Sequence, residues 1–149
     1  MVHDILAIGH DVVDVDAFAQ QLKEPGEGIL RLFSQREIHQ SRLRGDIKAD
    51  SLAVHLAARW AGKEAVLKAW SSALGRKPTP FGIDDFPWAC IEILQDARAR
   101  PHVNCAPVVE DALARSLALD EGIGVDWLIS LSHDGPIASS FVVLRACGI

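Results

Sequence analysis

The sequence predicts a single α+β domain spanning residues 1–149, in which a largely antiparallel sheet packs on one long helix. Three stretches predict it. Residues 51–75, SLAVHLAARWAGKEAVLKAWSSALG, carry the longest helical pattern, and that helix is apolar nearly all round, as a helix buried on most sides is. Residues 4–13, DILAIGHDVV, form an apolar run with β-branched residues, the mark of a buried strand. Residues 125–146, VDWLISLSHDGPIASSFVVLRA, read as two strands joined at the turn signal HDGP.

In chain order, the first strand carries Asp11 at its apolar end. Period-2 alternation places Asp11 on one face with Ile5, Ala7 and Gly9. The smaller of these leave room beside the carboxylate. Residues 16–23 predict a short helix, broken by EPGEG at 24–28. In FSQREIHQSRL, Ser34 and Glu37 fit a capping box, where hydroxyl and carboxylate each satisfy an orphan backbone N–H. Between Arg31 and Lys48 the charges are Arg31, Arg36, Arg42, Arg44 and Lys48 against Glu37 and Asp46, a basic segment in an acidic chain. Gly75 is the expected stop of the long helix, with Pro78 beyond it. CIEIL at 90–94 and the residues around Pro101–Val103 predict strands, and EDALARSLA at 110–118 a short helix.

The long helix carries the charges that need explaining. At 100° per residue, Leu52, Leu56, Trp60, Leu67, Trp70 and Leu74 share one stripe, and Ala57, Ala58, Ala61, Ala65 and Ala69 lie broadly opposite. Such alanines permit close approach by another backbone or a ligand. Lys63 falls within the large apolar stripe, whereas Glu64 and Lys68 lie between the two sides, one turn apart. The plain reading is an i,i+4 ion pair, worth about 0.3–0.5 kcal/mol, beside a lysine that snorkels to solvent. The functional reading is a carboxylate held ionised by a cation and a lysine facing an anion, because isolated buried charge is costly.

WAGKEAVLKA (60–69) resembles the (W/F)-x-x-K-E-A-x-x-K signature of the 4'-phosphopantetheinyl transferases, IGHDVV (8–13) their I-G-x-D element, FSQREI (33–38) their F-(S/T)-x-x-E segment and SLSHDGPIASSFVV (130–143) their closing hairpin. Order and spacing run across nearly the whole chain, and the short length resembles the stand-alone holo-[acyl-carrier-protein] synthase branch, in its actinobacterial form. There are departures. VVDVDAF (12–18) carries Asp14, Asp16 and Ala17 where the family often has a basic residue that meets the carrier protein, Ala99 stands for the glycine of a G-(K/R)-P element, and Ser71 stands where a glycine is common.

The resemblance implies transfer of 4'-phosphopantetheine from coenzyme A to a serine of apo acyl carrier protein, in support of fatty acid biosynthesis. Asp11 and Glu64 would bind Mg²⁺ (or Mn²⁺), which takes few carboxylates plus the substrate's phosphates. Glu64, Lys68 and His133 would be catalytic, and Lys63, Lys68 and His133 would contact the coenzyme, with Lys63 alternatively behind the metal site. Asp134 is a weaker candidate. Glu64, a metal-bound water or His133 could take the serine proton. Arg36, Arg42 and Arg44 would dock the acidic carrier protein or, in part, hold the coenzyme's 3'-phosphate. The family's short members are homotrimers with sites between subunits, which suits a helix apolar on two sides.

Composition bounds the alternatives. A 149-residue chain buries roughly 70% of its unfolded surface and needs no metal or disulfide staple to fold. A net charge of −5 excludes a general nucleic-acid footprint. Cys90, Cys105 and Cys147 are odd in number and show no zinc spacing, which predicts idle thiols in a reducing compartment. No signal peptide or membrane span is evident, so the cytoplasm is expected. A non-catalytic carrier-protein or coenzyme A binding module would lose Asp11, Glu64 or Lys68, yet all three are present. A phosphohydrolase would need a water nucleophile and more metal carboxylates.

Overall fold

The computed structural model describes residues 4–26, 28–48 and 51–148. Its elements are β1 (Asp4–Asp14), α1 (Val15–Leu22), α2 (Gln35–Lys48), α3 (Leu52–Leu74), β2 (Ile91–Gln95), β3 (Pro101–Cys105), α4 (Pro107–Ser116), β4 (Ile123–Asp134) and β5 (Ile137–Gly148). Both sheets are antiparallel: three strands in the order β1-β5-β4, and the pair β2-β3. The expected α+β architecture is the one observed.

Local chemistry sets the element ends. Asp14 caps α1, its carboxylate accepting from the Ala17 amide at 3.0 Å. The acidic VVDVDAF stretch therefore has a structural use at this residue. The capping box forms in both directions: the Ser34 amide donates to Glu37 Oε1 at 2.9 Å and the Glu37 amide to Ser34 Oγ at 3.2 Å. Ser51 caps α3, and Gly75 ends it at φ 59°. Helix α4 begins three residues before the expected start, because Pro107 suits the first helical position, where no amide partner is needed. Gly135 has φ 53° in the two-residue turn between β4 and β5, the left-handed value a primed hairpin turn demands at its first position. Ala99 sits at φ 61° between β2 and β3, in the region where glycine is unstrained and alanine is not.

Helix α3 is the core of the molecule. Leu56, Ala57, Ala61, Ala65, Val66 and Ala69 are fully buried. One cluster joins Trp70 and Leu74 to Ile91, Ile93, Val109, Leu113, Val142 and Leu144. A second joins Leu56 to Val15, Phe18, Phe33, Ile38 and Ala138. The small side of the helix faces the strands: a Cβ built on Gly9 would lie 1.9 Å from the Ala65 carbonyl oxygen and 2.8 Å from the Ala69 amide nitrogen. The close approach foreseen for the alanines is made by the β1 backbone.

One expectation is corrected. A register shift between Ile5 and Ala7 breaks the alternation of β1. Ala7, Gly9 and Asp11 keep one face, while Ile5 is 68% exposed, because a bulge transfers the residues before it to the other face. The chain itself covers α3 on nearly all sides, and exposed Ile8, Val12, Leu128 and Phe141 lie on the sheet face away from α3.

Candidate active site

Strand β1 and helix α3 meet where Gly9 removes the side chain between their backbones. Two residues on, Asp11 faces the helix, and Lys68 Nζ donates to Asp11 Oδ1 at 2.8 Å and to the His10 carbonyl at 3.1 Å. Glu64 lies one turn before Lys68. Partial burial raises the Glu64 pKa, and the negative charge of Asp11 raises it further against the opposing Lys68. The Asp11 carboxylate thus disfavours the charged form of Glu64, a condition that a bound cation would relieve. Among the described residues no group of three or more His, Cys, Asp or Glu side chains could hold a metal by itself. Two hard oxygen donors suit Mg²⁺, which keeps water and substrate phosphates as its other ligands. Lys68 is half exposed, so its ammonium stands at the mouth of the site.

A second cluster flanks the other side of α3. Arg44, His55, Arg59 and His133 line a cavity of about 190 Å³ with Gln95 and Leu131. The His55 and His133 rings meet edge to face at 6.3 Å. Arg59 is buried and reaches Gln40 Oε1 at 3.2 Å. Burial lowers its pKa and Arg44 lowers it further, against the raising effect of Glu37, leaving it at about 10 and protonated at neutral pH. The Nε atoms of Arg44 and Arg59 are buried without a hydrogen-bond partner among the described residues. Cationic donors held out of water without partners are of the kind an anion would satisfy. Asp11 pairs with Ser140, and His133 with Ala138, on β5. The two candidate residues therefore point toward α3 from strands two apart and two residues offset, roughly 12 Å between Cα atoms.

Lys63 belongs to neither cluster. It is fully buried, and its ammonium binds Glu37 Oε1 at 2.8 Å, the Trp88 carbonyl at 2.6 Å and the Ile91 carbonyl at 2.5 Å. Glu37 in turn accepts from the Ile93 amide through Oε2 at 3.1 Å. Burial pushes the Glu37 pKa up and the Lys63 pKa down, and each partner opposes the shift of the other.

The sequence model of the 4'-phosphopantetheinyl transferase superfamily matches residues 7–136. The chain belongs to this superfamily. It is 53% identical over 143 residues to the holo-[acyl-carrier-protein] synthase of Bifidobacterium animalis subsp. lactis, covering 94% of this chain and 97% of that one. It is 36% identical over 141 residues to the corresponding synthase of Corynebacterium efficiens, covering 94% of both. Among solved structures, the ACPS–CoA complex of Chronobacterium ammoniagenes superposes with a TM-score of 0.81 at 34% identity, covering 97% of this chain and 98% of that one.

Within this phosphopantetheinyl transferase chain, the expected residues divide. Asp11, Glu64 and Lys68 come together as foreseen from the motifs. His133 joins a different cluster on the far side of the helix, with Asp134 next to it at the exposed hairpin end. Lys63 does not snorkel, and it is fully buried with the three donors of its ammonium already given to Glu37, Trp88 and Ile91, which leaves none for a coenzyme. The three arginines expected to act together also separate. Arg36 forks onto Glu92, which also binds Ser34 and Asn104. Arg44 lines the cavity beside His55 and His133, and Arg42 is exposed. Sequence reasoning passed over His55 and Arg59. Their signal was present: His55, Arg59 and Lys63 follow one another at i,i+4, a run of basic residue types on a helix with little reason to bury polar groups. The three cysteines are free thiols. Burial and the charge of Glu110 push Cys105 up to about 12, so it remains protonated and unreactive.

Proposed function

We propose that this chain transfers the 4'-phosphopantetheine group of coenzyme A to a serine of apo acyl carrier protein, with Mg²⁺, releasing adenosine 3',5'-bisphosphate in support of fatty acid biosynthesis in the cytoplasm. The observation that carries the reading is the junction of Asp11, Glu64 and Lys68 between strand and helix. Mg²⁺, when bound, would neutralise the pyrophosphate and orient it for attack. Asp11 and Glu64 are the carboxylates that would hold it. Lys68 now rests on Asp11, and a metal there would free its ammonium for a phosphate oxygen one helical turn from Glu64. Arg44, Arg59 and His133 offer the charge and buried donors that a second phosphate, such as the coenzyme's 3'-phosphate, would satisfy.

The placement of the two clusters supports a homotrimer with sites between subunits. Glu64 and His55 are nine residues apart, half a turn round α3 at 100° per residue. The clusters open on opposite flanks of the helix, so one coenzyme meets both only by bridging two chains. The uncovered apolar sheet face carrying Ile8, Val12, Leu128 and Phe141 is the surface on which copies would pack.

The test is the intact mass of apo acyl carrier protein after incubation with this protein, coenzyme A and Mg²⁺, with an EDTA control. A metal-dependent gain of one phosphopantetheinyl group is expected. No gain on discrete carriers or on synthase-embedded carrier domains would overturn the reading. Sedimentation of the same preparation checks the trimer.

A further inference from the structure

Strand β5 carries one polar side chain into the layer between sheet and helix. Ala138, Ser140, Val142 and Leu144 alternate along the strand and are all buried, so they share the face toward α3. Three of the four are apolar. Ser140 is 1% exposed, and its Oγ is buried without a hydrogen-bond partner among the described residues. A hydroxyl taken out of water and left unbonded is costly, and such a group in a native core calls for a use.

The register names its neighbours. Ser140 lies opposite Asp11 on β1 and opposite Leu131 on β4, with Ala138 and Val142 on either side of it along its own face. Side chains directly opposite have Cβ atoms about 4.5–5.5 Å apart, which puts a serine hydroxyl within reach of an aspartate carboxylate. Leu131, Ala138 and Val142 offer it no hydrogen bond, and α3 turns its buried alanines Ala57, Ala61 and Ala65 to the strands. His133 stands one pair further along, where its ring meets His55 in the cavity with Arg44. The polar side chain beside Ser140 is therefore Asp11.

Lys68 Nζ holds Asp11 Oδ1 at 2.8 Å, and Ser140 makes no bond to that carboxylate. We propose that the Ser140 hydroxyl is a positioning group of the metal site: it donates to the Asp11 carboxylate when that carboxylate exchanges Lys68 for Mg²⁺. The proposal rests on the transferase reading above. A carboxylate ligand that also accepts a hydrogen bond from the protein has its oxygens fixed toward the metal. A hydroxyl donating to an ionised acceptor makes one of the stronger hydrogen bonds. The Asp11 side chain is 13% exposed, so little water competes for that donor. The bond that Ser140 lacks beside the Lys68–Asp11 pair is the one it makes to Asp11 as a metal ligand.

The experiment titrates Mn²⁺ into the full chain with saturating coenzyme A and no carrier protein, and reads free Mn²⁺ from its electron paramagnetic resonance signal. Ser140→Ala should raise the Kd about tenfold or more, the loss typical when a group that orients a metal ligand is removed. Ser140→Cys, close in size but a weak donor, should fall between the parent and Ser140→Ala. Urea unfolding of the three chains in EDTA supplies the second readout. There the Ser140→Ala midpoint should match or exceed the parent's, because alanine removes a hydroxyl that has no partner. A serine that only packs would leave the Mn²⁺ affinity alone. A Ser140→Ala Kd within about twofold of the parent's would overturn the positioning role and leave the transferase reading standing. So would a midpoint that falls in EDTA, or a Ser140→Ala chain that fails to fold, since either reveals a hydroxyl already bonded within the fold. A parent chain that binds no Mn²⁺ would remove the metal reading of Asp11 and Glu64, and this proposal with it.

Discussion

Replacing Lys63 by methionine isolates the most heavily buried charge pair among the described residues. Lys63 and Glu37 are both inaccessible to solvent. The methionine fills much of the lysine's volume, so the perturbation is electrostatic. It removes three ammonium contacts and leaves a carboxylate out of water with the Ser34 and Ile93 amides as its remaining donors. Removing one partner of a buried pair costs about 3–5 kcal/mol. At roughly 2–4 °C per kcal/mol for a chain near this length, the melting temperature should fall by about 10 °C.

The cost should depend on pH, and its sign can be worked out. Burial already raises the Glu37 pKa while Lys63 holds it back. Without Lys63 it rises further, so the folded variant binds a proton at a pH where the unfolded chain has released it. Stability then falls as pH rises from the unfolded carboxylate value through the folded one. The loss from Lys63→Met should be small near pH 5 and full near pH 8. Urea titrations at both pH values, at one fixed protomer concentration because assembly shifts apparent stability, would measure it. Lys63→Met/Glu37→Gln should recover much of the loss and flatten its pH dependence. A loss under about 1 kcal/mol near pH 8, or one equal at both pH values, would refute the buried-pair reasoning.

Other substitutions probe the site and its framing. Gly9→Ala sets a methyl carbon against the Ala65 carbonyl, which cannot move as a side chain can; a destabilisation of about 1–3 kcal/mol in urea unfolding should accompany a loss of transfer rate, because Asp11 is displaced from α3. Glu64→Gln should keep the unfolding midpoint within about 0.5 kcal/mol of the parent, as expected of a partly exposed change, while the Mg²⁺ concentration needed for half-maximal transfer rises steeply; unaltered Mg²⁺ dependence would remove Glu64 from the metal site. Arg42→Glu should raise KM for carrier protein, and Arg44→Glu should raise KM for coenzyme A. Steady-state kinetics showing the reverse assignment would exchange their roles.

Much of this was legible in the residues because it is local. The capping box of Ser34 and Glu37, the glycine stop at Gly75 and the turn at Gly135 depend on neighbours a few positions away. Asp11, Glu64 and Lys68 were legible through motifs, since each motif already specifies a strand face or a helical turn. What escaped depends on distant partners. Period alone placed Lys63 on an apolar stripe and offered solvent as its outlet; nothing local says that Glu37, twenty-six positions earlier, folds over it. The bulge between Ile5 and Ala7 is set by pairing with β5, more than a hundred residues on. Likewise, the separation of Arg36, Arg42 and Arg44 follows from Glu92 and from the cavity beside His133, neither of which their helical spacing reveals.

The half-turn between Glu64 and His55 has a genetic consequence. A site assembled from the Asp11 flank of one chain and the His133 flank of another separates two kinds of inactive subunit. Asp11→Asn chains would lack the metal half and His133→Ala chains the anion half, yet each would carry what the other is missing. Mixed in equal amounts through unfolding and reassembly, two such dead preparations would regenerate about a quarter of their interfaces with both halves intact. Activity returning from two inactive proteins would locate the division of labour in solution, and two variants of the same flank would stay silent together.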